Sequence, residues 1–389
     1  MSIVVSYRRT PYGRFLGALS RVSATELGSQ VLAASLAEAD IAAHEVDYVV
    51  AGQVLQAGQG QNPARQVAVS AGIPLNVPAI TLNAVCLSGV EAIAHAHRLI
   101  ASGEASIVAC VGQESMSLAP HLLMNSRIGS KYGAIEMVDS VEIDGLTDAF
   151  EACSMGLSTE QGNTERAIAR EEQDLWAAES HARASANSAF LEGEILPITV
   201  TSGKHSLVVD RDEGIRPDTS PETLASLRPA FSPQGTITAG NASPISDGAA
   251  CIVVMSEEEY ACRSSPGLAR ILAHALVAGP TTHLHSQPSQ AIQAALAKTD
   301  KSIEDCVAVE INEAFASVVL QSMKDLGIHG SLVNRHGGAI ALGHPIGSSG
   351  VRIAGTLARQ LAAEGPGAIG AAGICGGGGQ GSALVLEAL

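Results

Sequence analysis

Apolar residues recur at helical spacing in two segments, one in each half of the chain. In the first segment they share one face and predict a helix over 88–102 that ends at Gly103. That face consists of Val90, Ile93, Ala94, His97 and Ala101. The apolar run over 106–111 then predicts a buried strand.

The same order of elements returns near the C-terminus. A second apolar face predicts a helix, the run Gly365-Pro366-Gly367 breaks it, and residues 368–374 predict a strand. The residues of this face are Val351, Ala354, Leu357 and Leu361. Cys86 precedes the first helix and His344 the second, so halves related by a pseudo-twofold axis would bring these helix entrances face to face. Any α/β chain repeats helix, glycine and strand, so this pattern alone leaves duplication open.

The segment between the halves has a different residue pattern. Residues 115–160 show little periodicity, which is typical of a stretch that covers or lines a site. Residues 158–190 return to a polar amphipathic helical pattern, and the main fold resumes near Gly235. We expect the charged stretch 210–213 and the Pro-rich stretch 217–233 to be surface segments.

Length, composition and charge set further bounds. A chain of 389 residues predicts two or more packed units, and 46% apolar residues with 40 Gly fit a compact α/β protein. The net charge of −16 disfavours nucleic acid and anionic membrane surfaces as partners. No signal peptide and no membrane-spanning run is expected. A local basic patch could still hold an anionic small molecule.

The cysteines indicate the compartment. There are seven, an odd number without a C-x-x-C pair, which argues against a disulfide framework and against a metal site. We therefore expect a reducing compartment and a cytoplasmic location.

Cys86 is the first candidate for chemistry. It lies where a strand-like run turns into a helical pattern, and unpaired N–H groups at a helix N-terminus predict a thiol poised to ionise. Such a thiol is a nucleophile for acyl transfer. The alternative is a small buried hydrophobic residue, although the following Ser88-Gly89 suits the approach of a ligand.

His344 and Cys375 are the next candidates. His344 stands between Gly and Pro at a helix entrance, where an imidazole could deprotonate Cys86 or bind a carbonyl oxygen. Cys375 ends a strand and precedes four glycines, which suits proton transfer beside an oxyanion hole. A flexible turn or a phosphate cradle is the alternative, but the Lys-Ser or Lys-Thr of a P-loop is missing.

Asn312 is the fourth candidate, in the run Glu310-Ile-Asn-Glu-Ala-Phe315. Taken alone, this pattern favours a helix start with Asn312 as its N-cap. Its amide could instead orient a water molecule or the imidazole.

Together these motifs resemble the thiolase family over essentially the whole chain. The matching strings run in family order from the N-terminus to the C-terminus. They are Arg9-Thr10-Pro11, Gly52–Gln56, Gln61–Arg65, the Cys86 segment, Glu114–Pro120, Asp144-Gly-Leu146, Met155-Gly156, Gly235–Ser243, Asp247-Gly248, Asn312–Phe315, Gly337–Gly350 and the Cys375 segment.

The resemblance implies an α/β fold of five αβαβα layers, built from two pseudo-symmetric βαβαβαββ halves. It implies an N-terminal half over 1–115 and 246–262, an inserted loop domain over 116–245 and a C-terminal half over 263–389.

The resemblance also implies the reaction, which is Claisen condensation of two acyl-CoA molecules or thiolysis of a 3-ketoacyl-CoA. By matched motif, Cys86 carries the acyl group, and His344 activates it and helps bind the thioester oxygen. Cys375 moves the α-proton of the second acyl-CoA. Asn312 holds a water at one oxyanion hole, and the amides of Cys86 and Gly377 form the other.

The match further implies where acyl-CoA and CoA bind. Arg216 would lie near the nucleotide and Ser243 near the pantetheine. Leu146, Met155, Phe231 and Phe315 would line the acyl or pantetheine pocket. No cofactor or metal is implied beyond CoA as substrate, and the family suggests a homodimer or homotetramer, with 121–131 as a possible tetramerisation loop.

The chain departs from the family pattern beside these residues, which concerns substrate choice. Leu87 follows the nucleophile where Gly is common, and we expect it to reshape the mouth of the pocket. Ser154 replaces a common His, Gly376 a common Ile and Gln380 a common Met. We expect acetoacetyl-CoA as the substrate, and a longer 3-ketoacyl-CoA is the alternative that the sequence leaves open.

Two other functions remain as alternatives. A decarboxylating ketoacyl synthase is expected to use two His with its nucleophile, so Asn312 and Cys375 argue against it. Retention of all four candidate residues argues against a non-catalytic protein that binds acyl-CoA or lipid.

Overall fold

A computed structural model describes residues 1–203, 205–263 and 266–389. In these ranges the strands are β1 (Ser2–Arg9), β2 (Gly13–Arg14), β3 (Tyr48–Gly52), β4 (Ala79–Leu82), β5 (Ile107–Ser115), β6 (His121–Leu122), β7 (Val138–Asp139), β8 (Thr147–Asp148), β9 (Cys153–Ser154), β10 (Ile198–Ser202), β11 (His205–Val209), β12 (Ser246–Ser256), β13 (Ala269–Ala278), β14 (Cys306–Ile311), β15 (Ile369–Gly376) and β16 (Gln380–Ala388). The α-helices are α1 (Ala24–Glu38), α2 (Pro63–Ser70), α3 (Ser88–Ala101), α4 (Met155–Arg166), α5 (Arg170–Ala186), α6 (Ser188–Glu194), α7 (Pro221–Ala225), α8 (Glu257–Ala261), α9 (Gln287–Leu296), α10 (Ala316–Leu326), α11 (Ala339–Leu342) and α12 (Ile346–Glu364).

The two halves of the chain share one strand order. The N-terminal half pairs its strands as β4-β3-β5-β12-β1, and the C-terminal half as β14-β15-β16-β13. Val333 bridges in parallel to Val309 of β14, in the place that β4 takes beside β3. The halves join where β1 and β13 pair antiparallel. This confirms the duplication that the repeated helix–glycine–strand pattern left open.

Three apolar cores separate five layers. The central core packs α3 and α12 between the strands of the two halves and includes Ile93, Ile252, Leu357 and Leu384. One outer core packs α1 and α2 on the N-terminal strands, and the other packs α9 and α10 on the C-terminal strands. Strands covered on both faces need apolar residues at successive positions, which is why β12 and β15 are apolar runs without alternation. The predicted five-layer α/β fold is confirmed.

The two central helices, α3 and α12, cross at glycines. A Cβ placed on Gly89 would lie 2.5 Å from the backbone nitrogen of Val351, and one on Gly350 would meet the nitrogen of Val90. Only glycine allows this approach of two backbones. The crossing brings together the helix entrances that follow Cys86 and His344.

Strand direction gathers the candidate residues at one edge. The strand β3 runs parallel to both β4 and β5, and β14 runs parallel to β15. Cys86 follows β4, Asn312 follows β14 and Cys375 lies at the end of β15. Carboxyl ends of parallel strands are the usual position of a ligand site in α/β folds.

The segment between β5 and β12 is built differently. Within its described residues the strands form three separate two-stranded hairpins and do not join the large sheet. The predicted helical stretch 158–190 falls in α4, α5 and the start of α6, and Ala167, which is left-handed (φ 52°), separates α4 from α5. The limits 116–245 of an inserted loop domain stay a prediction.

One expectation about this segment is wrong. Asp212, predicted to lie on the surface, is buried and accepts hydrogen bonds from Arg9 at 2.7 Å and 2.9 Å. Arg9 is completely buried and also pairs with Glu194 at 2.9 Å. A buried cation needs such partners, and they tie β1 to the intervening segment.

No helix in the described part of the chain is both long and apolar enough to cross a lipid bilayer.

Candidate active site

A tight turn carries Cys86 from β4 into α3. Val85 has φ 52°, which a β-branched residue rarely adopts, and such strain costs roughly 1–3 kcal/mol. Side chains of the turn hold it in place. Asn83 Oδ1 accepts the N–H of Val85 at 2.9 Å, while Ser88 Oγ donates to the carbonyl of Val85 at 2.6 Å and accepts the N–H of Ala84 at 2.9 Å.

The electrostatics of Cys86 correct the prediction of a thiol poised to ionise. Burial raises the pKa of this thiol to about 12. Hydrogen bonds from the backbone N–H groups of Cys86 and Gly377 lower the pKa, and the charge of Glu114 raises it further. Burial outweighs the donors because the thiolate loses its hydration. The resting thiol is therefore neutral and needs a base.

Cys375 lies beside this turn, at the end of β15. It is completely buried, and burial, followed by the influence of Cys86, raises the pKa of its thiol well above the usual range. Gly376, which follows Cys375, lies against Leu87, which follows Cys86, so the segments that carry the two thiols are in contact. Gly377, two residues on, directs its N–H to the Cys86 sulfur. The structure therefore brings Cys86, Cys375 and Gly377 to one point.

His344 is fixed at the entrance of α12. Gly343 before it has φ 122°, which favours glycine, and Ser246 Oγ accepts the backbone N–H of His344 at 3.1 Å. The Oγ of Ser349 donates to the carbonyl of Pro345 at 3.1 Å and lies 2.6 Å from His344 Nδ1. When this hydroxyl gives its one hydrogen to the carbonyl of Pro345, its oxygen can accept the Nδ1–H of His344. This tautomer leaves the lone pair of the ring on Nε2, as a base that acts through Nε2 requires.

The imidazole is neutral at rest. Burial, followed by the charge of Arg352, lowers the pKa of His344 to about 4. Nε2 is buried and has no hydrogen-bond partner among the described residues. Ile346, two residues on, packs in the same apolar cluster as Cys86. The site thus combines an uncharged thiol with an uncharged base.

Asn312 is not the N-cap of a helix, contrary to the interpretation favoured by its local pattern. The helix α10 begins at Ala316 and its N-cap is Phe315. The backbone N–H of Asn312 donates to the carbonyl of Gly373 at 3.0 Å. Both side-chain polar atoms of Asn312 are buried and lack a partner in the described part of the protein. A buried amide left in this way is unusual and suits a group reserved for a water or a substrate.

Glu114 belongs to the site, although its motif gave it no role. Its carboxylate accepts the N–H groups of Val54 at 3.0 Å, Leu55 at 3.1 Å and Gly347 at 3.0 Å. It therefore joins the first turn of α12 to the loop after β3. Burial raises the pKa of Glu114 to about 7. The signal that could have found it is a single carboxylate inside β5, whose residues are all buried.

The predicted pocket residues fall into two neighbouring groups. Leu146 packs with Cys86, whereas Met155 and Phe315 pack with Cys375. Phe231 meets Phe315 edge to face, with ring centroids 6.2 Å apart. Ser243 is joined to the same place by two hydrogen bonds to the carbonyl of Ala314, at 3.1 Å from its N–H and 3.0 Å from its Oγ.

A cavity of about 650 Å³ opens beside these groups. Its lining residues are Val54, Gln56, Ala57, Asn83, Val85, Ile143, Asp144, Gly145, Thr147, Asp148, Ala149, Phe150, Met155, Gly377, Gly378 and Gln380. The lining thus includes Val85, which precedes the nucleophile, and Gly377, whose N–H meets its sulfur. It also draws on 143–155, where the sequence predicted a site-lining stretch.

Arg216 is exposed and stands apart from the thiols. Its backbone N–H donates to Nδ1 of His181 at 3.2 Å, which ties its loop to α5. No contact of Arg216 with the residues around Cys86 is found in the described ranges, so its role toward the nucleotide stays a prediction.

The departures from the family pattern have different surroundings. Leu87 is completely buried and packs in the central core, so it does not reach the mouth of the cavity, contrary to our expectation. Ser154 is the N-cap of α4, and its Oγ accepts the N–H of Leu157 at 3.2 Å. Gln380 lines the cavity. Gly376 lies against Leu87.

This arrangement suits acyl transfer to sulfur. A neutral imidazole can take the proton of a neutral thiol as the sulfur attacks a carbonyl carbon. The N–H groups of Cys86 and Gly377 meet at the Cys86 sulfur, and their role as an oxyanion hole stays a prediction. The second thiol, Cys375, lies at the end of the strand that packs on the Cys86 turn, and its role in proton transfer stays a prediction.

Comparisons with known proteins agree with this geometry. The family described as "Thiolase, N-terminal domain" matches residues 2–258, and "Thiolase, C-terminal domain" matches residues 265–388. A protein of Mycobacterium leprae named "Probable acetyl-CoA acetyltransferase" is 50% identical, over 100% of this chain and 99% of its own length. The "Acetyl-CoA acetyltransferase" of Chromobacterium violaceum is 44% identical, over 99% and 98%.

Two solved structures extend the agreement to three dimensions. The crystal structure of the Bacillus anthracis acetyl-CoA acetyltransferase has a TM-score of 0.96 at 37% identity, covering 100% of this chain and 98% of that one. Human mitochondrial 3-ketoacyl-CoA thiolase has a TM-score of 0.96 at 36% identity, covering 100% and 99%. The predicted resemblance is confirmed: the chain belongs to the thiolase family.

Proposed function

We propose that this enzyme is an acetyl-CoA C-acetyltransferase that condenses two acetyl-CoA molecules to acetoacetyl-CoA and CoA, and catalyses the reverse thiolysis. The observation that carries the proposal is that the end of β15, which holds Cys375 and Gly377, packs on the turn that carries Cys86. Family membership and the printed names of the bacterial relatives support this reaction.

In the first step acetyl-CoA acylates Cys86. Nε2 of His344 takes the thiol proton while the sulfur bonds to the thioester carbonyl carbon. The oxygen takes up the negative charge, facing the N–H groups of Cys86 and Gly377. The bond from this carbon to the CoA sulfur then breaks, and the departing sulfur takes a proton from Cys375, which leaves Cys375 as a thiolate and His344 protonated on Nε2. The products are S-acetyl-Cys86 and CoA.

In the second step a carbon–carbon bond forms. Cys375, as thiolate after giving its proton to the departing CoA sulfur, removes a proton from the α-carbon of a second acetyl-CoA. The resulting enolate oxygen is held by Nε2 of His344 and by a water on the amide of Asn312. The α-carbon attacks the acetyl carbon, the bond to the Cys86 sulfur breaks, and that sulfur regains its proton from Nε2 of His344, while Cys375 keeps the α-proton.

The site residues of the pocket belong to the same proposal. Arg216, exposed and on the loop tied to α5, holds the nucleotide phosphates of CoA. Ser243 meets the pantetheine, and Leu146, Met155, Phe231 and Phe315 enclose its end and the acyl group. The reaction requires no cofactor beyond CoA as substrate.

Thiolysis of a longer 3-ketoacyl-CoA is the second candidate. The cavity of about 650 Å³ next to Val85 and Gly377 exceeds what an acetyl group fills. The human 3-ketoacyl-CoA thiolase has the same TM-score as the acetyltransferase structure. The names of the more similar relatives favour acetoacetyl-CoA.

We further propose a cytoplasmic homodimer or homotetramer. The seven cysteines are free in the structure, which suits a reducing compartment. Large apolar side chains stand exposed in and after the 121–131 loop, namely Leu123, Met124, Ile128, Tyr132, Ile135 and Met137. Light scattering after size exclusion measures the assembly, and a monomer would contradict it.

The test of the reaction is CoA-dependent cleavage of acetoacetyl-CoA, followed by loss of its enolate absorbance. A kcat/KM series over acyl chain lengths separates the two candidate substrates. The Cys86→Ala variant, purified alongside, serves as the control for contaminating thiolase. Absence of activity on ketoacyl-CoAs of every length would overturn the proposal.

A further inference from the structure

Leu87 and Gly376 each directly follow one of the two thiols, and they lie against each other. A Cβ placed on Gly376 would lie 2.7 Å from Cγ of Leu87, 3.1 Å from its Cδ2 and 3.4 Å from its Cδ1. The three nearest atoms all belong to this one side chain. The contact therefore links the segment of Cys86 to the segment of Cys375.

Glycine is required at 376 because of this contact with Leu87 and not because of the backbone conformation. Gly376 ends β15 and pairs with Gln380 in the sheet, outside the left-handed conformations that favour glycine. Leu87 is completely buried in the central core, so it has no free space into which to withdraw. Nothing larger than glycine fits at 376 while Leu87 holds its place.

The strand end after this contact carries a group of the site. Gly377 directs its N–H to the sulfur of Cys86, and a Cβ on it would lie 3.6 Å from Cγ1 of Val85. The end of β15 thus rests on the Cys86 turn at two consecutive residues. The thickness of the Leu87 side chain fixes how closely this strand end approaches the turn.

We propose that Leu87 is a positioning residue, a spacer that sets the distance of the Gly377 N–H and the Cys375 thiol from the Cys86 sulfur. The effect that the spacer has on turnover rests on the function proposed above. Its effect on the reactivity of Cys86 depends on the geometry alone.

A cycle of three variants tests the spacer: Gly376→Ala, Leu87→Ala and the double variant. Adding a methyl group at 376 pushes the strand end from the turn, and we expect kcat for acetoacetyl-CoA thiolysis to fall about 10- to 100-fold with KM nearly unchanged. Removing the Leu87 side chain lets the strand end sink, with a fall of about 10-fold. In the double variant the new methyl group occupies the vacated space. Its kcat is then at least about 10-fold higher than the value expected if the two single losses multiplied.

The second readout does not depend on thiolase activity. Alkylation of Cys86 by iodoacetamide, followed by mass spectrometry of the folded protein, reports its surroundings directly. We expect its rate to change at least about threefold in Gly376→Ala and to return toward the original value in the double variant. An unmodified protein without ketoacyl-CoA activity would overturn the proposed function and leave this arm of the test intact.

Matched controls separate positioning from stability. Gly370→Ala in the same strand places a Cβ 2.8 Å from Cδ1 of Leu357, and Leu99→Ala removes a leucine from α3, the helix that follows the Cys86 turn. Both disturb the central core far from the thiols. They lower the unfolding temperature while leaving kcat per folded enzyme and the alkylation rate nearly unchanged.

Equal kcat and equal alkylation rates in Gly376→Ala and the unmodified protein would overturn the proposal. Strictly multiplicative effects in the double variant would do so as well. If Gly376→Ala does not fold, the proposal is tested by comparing kcat of Leu87→Ala with kcat of the double variant. The spacer predicts that these two agree within about threefold, and a further 10-fold loss in the double variant contradicts it.

Discussion

The entrances of α3 and α12 are related by the duplication, yet they carry opposite chemistry. The first presents Cys86 on a strained turn, and the second presents His344 after a glycine with φ 122°. Burial raises the pKa of the thiol to about 12 and lowers that of the imidazole to about 4. One physical cause thus leaves an uncharged acid and an uncharged base in the same site.

A serine in each first turn shows how the same position was put to different use. The hydroxyl of Ser88 makes its hydrogen bonds to the backbone of the turn and not to the Cys86 thiol. Ser349 Oγ lies 2.6 Å from Nδ1 of His344, and this hydrogen bond fixes the ring. A nucleophile must reach the substrate, whereas a base must hold one tautomer in one direction. The comparison teaches that the scaffold is shared and the side-chain bonds divide the labour.

We expect the largest effect when the thiol at the first entrance is removed. Cys86→Ala abolishes the acyl-enzyme and lowers turnover by more than about 10⁴-fold, because no other group takes up the acetyl. Cys375→Ser still accepts the acetyl group but slows condensation and thiolysis. Mass spectrometry after addition of acetyl-CoA measures the acetyl on Cys86. Normal turnover in Cys375→Ser would contradict the proton-transfer role.

The next largest effect is expected when the His344 ring at the second entrance is freed. Ser349→Ala frees the His344 ring, and we expect kcat to fall by about 10- to 100-fold, which is part of what general base catalysis contributes. Ser348→Ala is the matched control, since its buried hydroxyl pairs with Tyr12 at 2.7 Å instead. Steady-state kinetics on folded protein compares the two. Equal losses in both variants would show that Ser349 acts through packing alone.

The smallest effect concerns the strain at the first entrance. Val85→Gly relieves roughly 1–3 kcal/mol of strain but adds chain entropy and loses side-chain packing, so the free energy of unfolding changes by less than about 1 kcal/mol. Gly343→Ala at the second entrance introduces a Cβ 2.7 Å from Ser246 Oγ, and we expect a loss of about 2 kcal/mol or more. Denaturant unfolding measures both. A large loss in Val85→Gly would refute stored strain in this turn.

Much of the fold could be predicted because it follows local periodicity. The helices α3 and α12 and the strands after them lie within a few residues of their predicted limits. The break between α4 and α5 could not be predicted, because Ala167 gives no sign that it adopts a left-handed conformation. Asp212 was misplaced because its partner, Arg9, is distant along the chain.

The site was predicted in its residues and less well in its physics. The ionised Cys86 followed from a helix N-terminus, but burial depends on tertiary packing and outweighs it. The N-cap role of Asn312 failed because the helix begins only at Ala316, after an irregular stretch that ends in an extended Phe315. The Leu87–Gly376 contact joins residues far apart in sequence, so no local pattern could reveal it.

The central claim is that Cys86 and His344 rest as a neutral pair. Ultraviolet thiolate absorbance of the unmodified protein minus that of Cys86→Ala, titrated from about pH 5 to pH 9, tests it most directly. A thiol whose pKa is raised to about 12 stays protonated over this range, and an imidazole whose pKa is lowered to about 4 has no proton to form an ion pair. The account predicts no Cys86 thiolate signal at neutral pH. A full thiolate at pH 7 would contradict it.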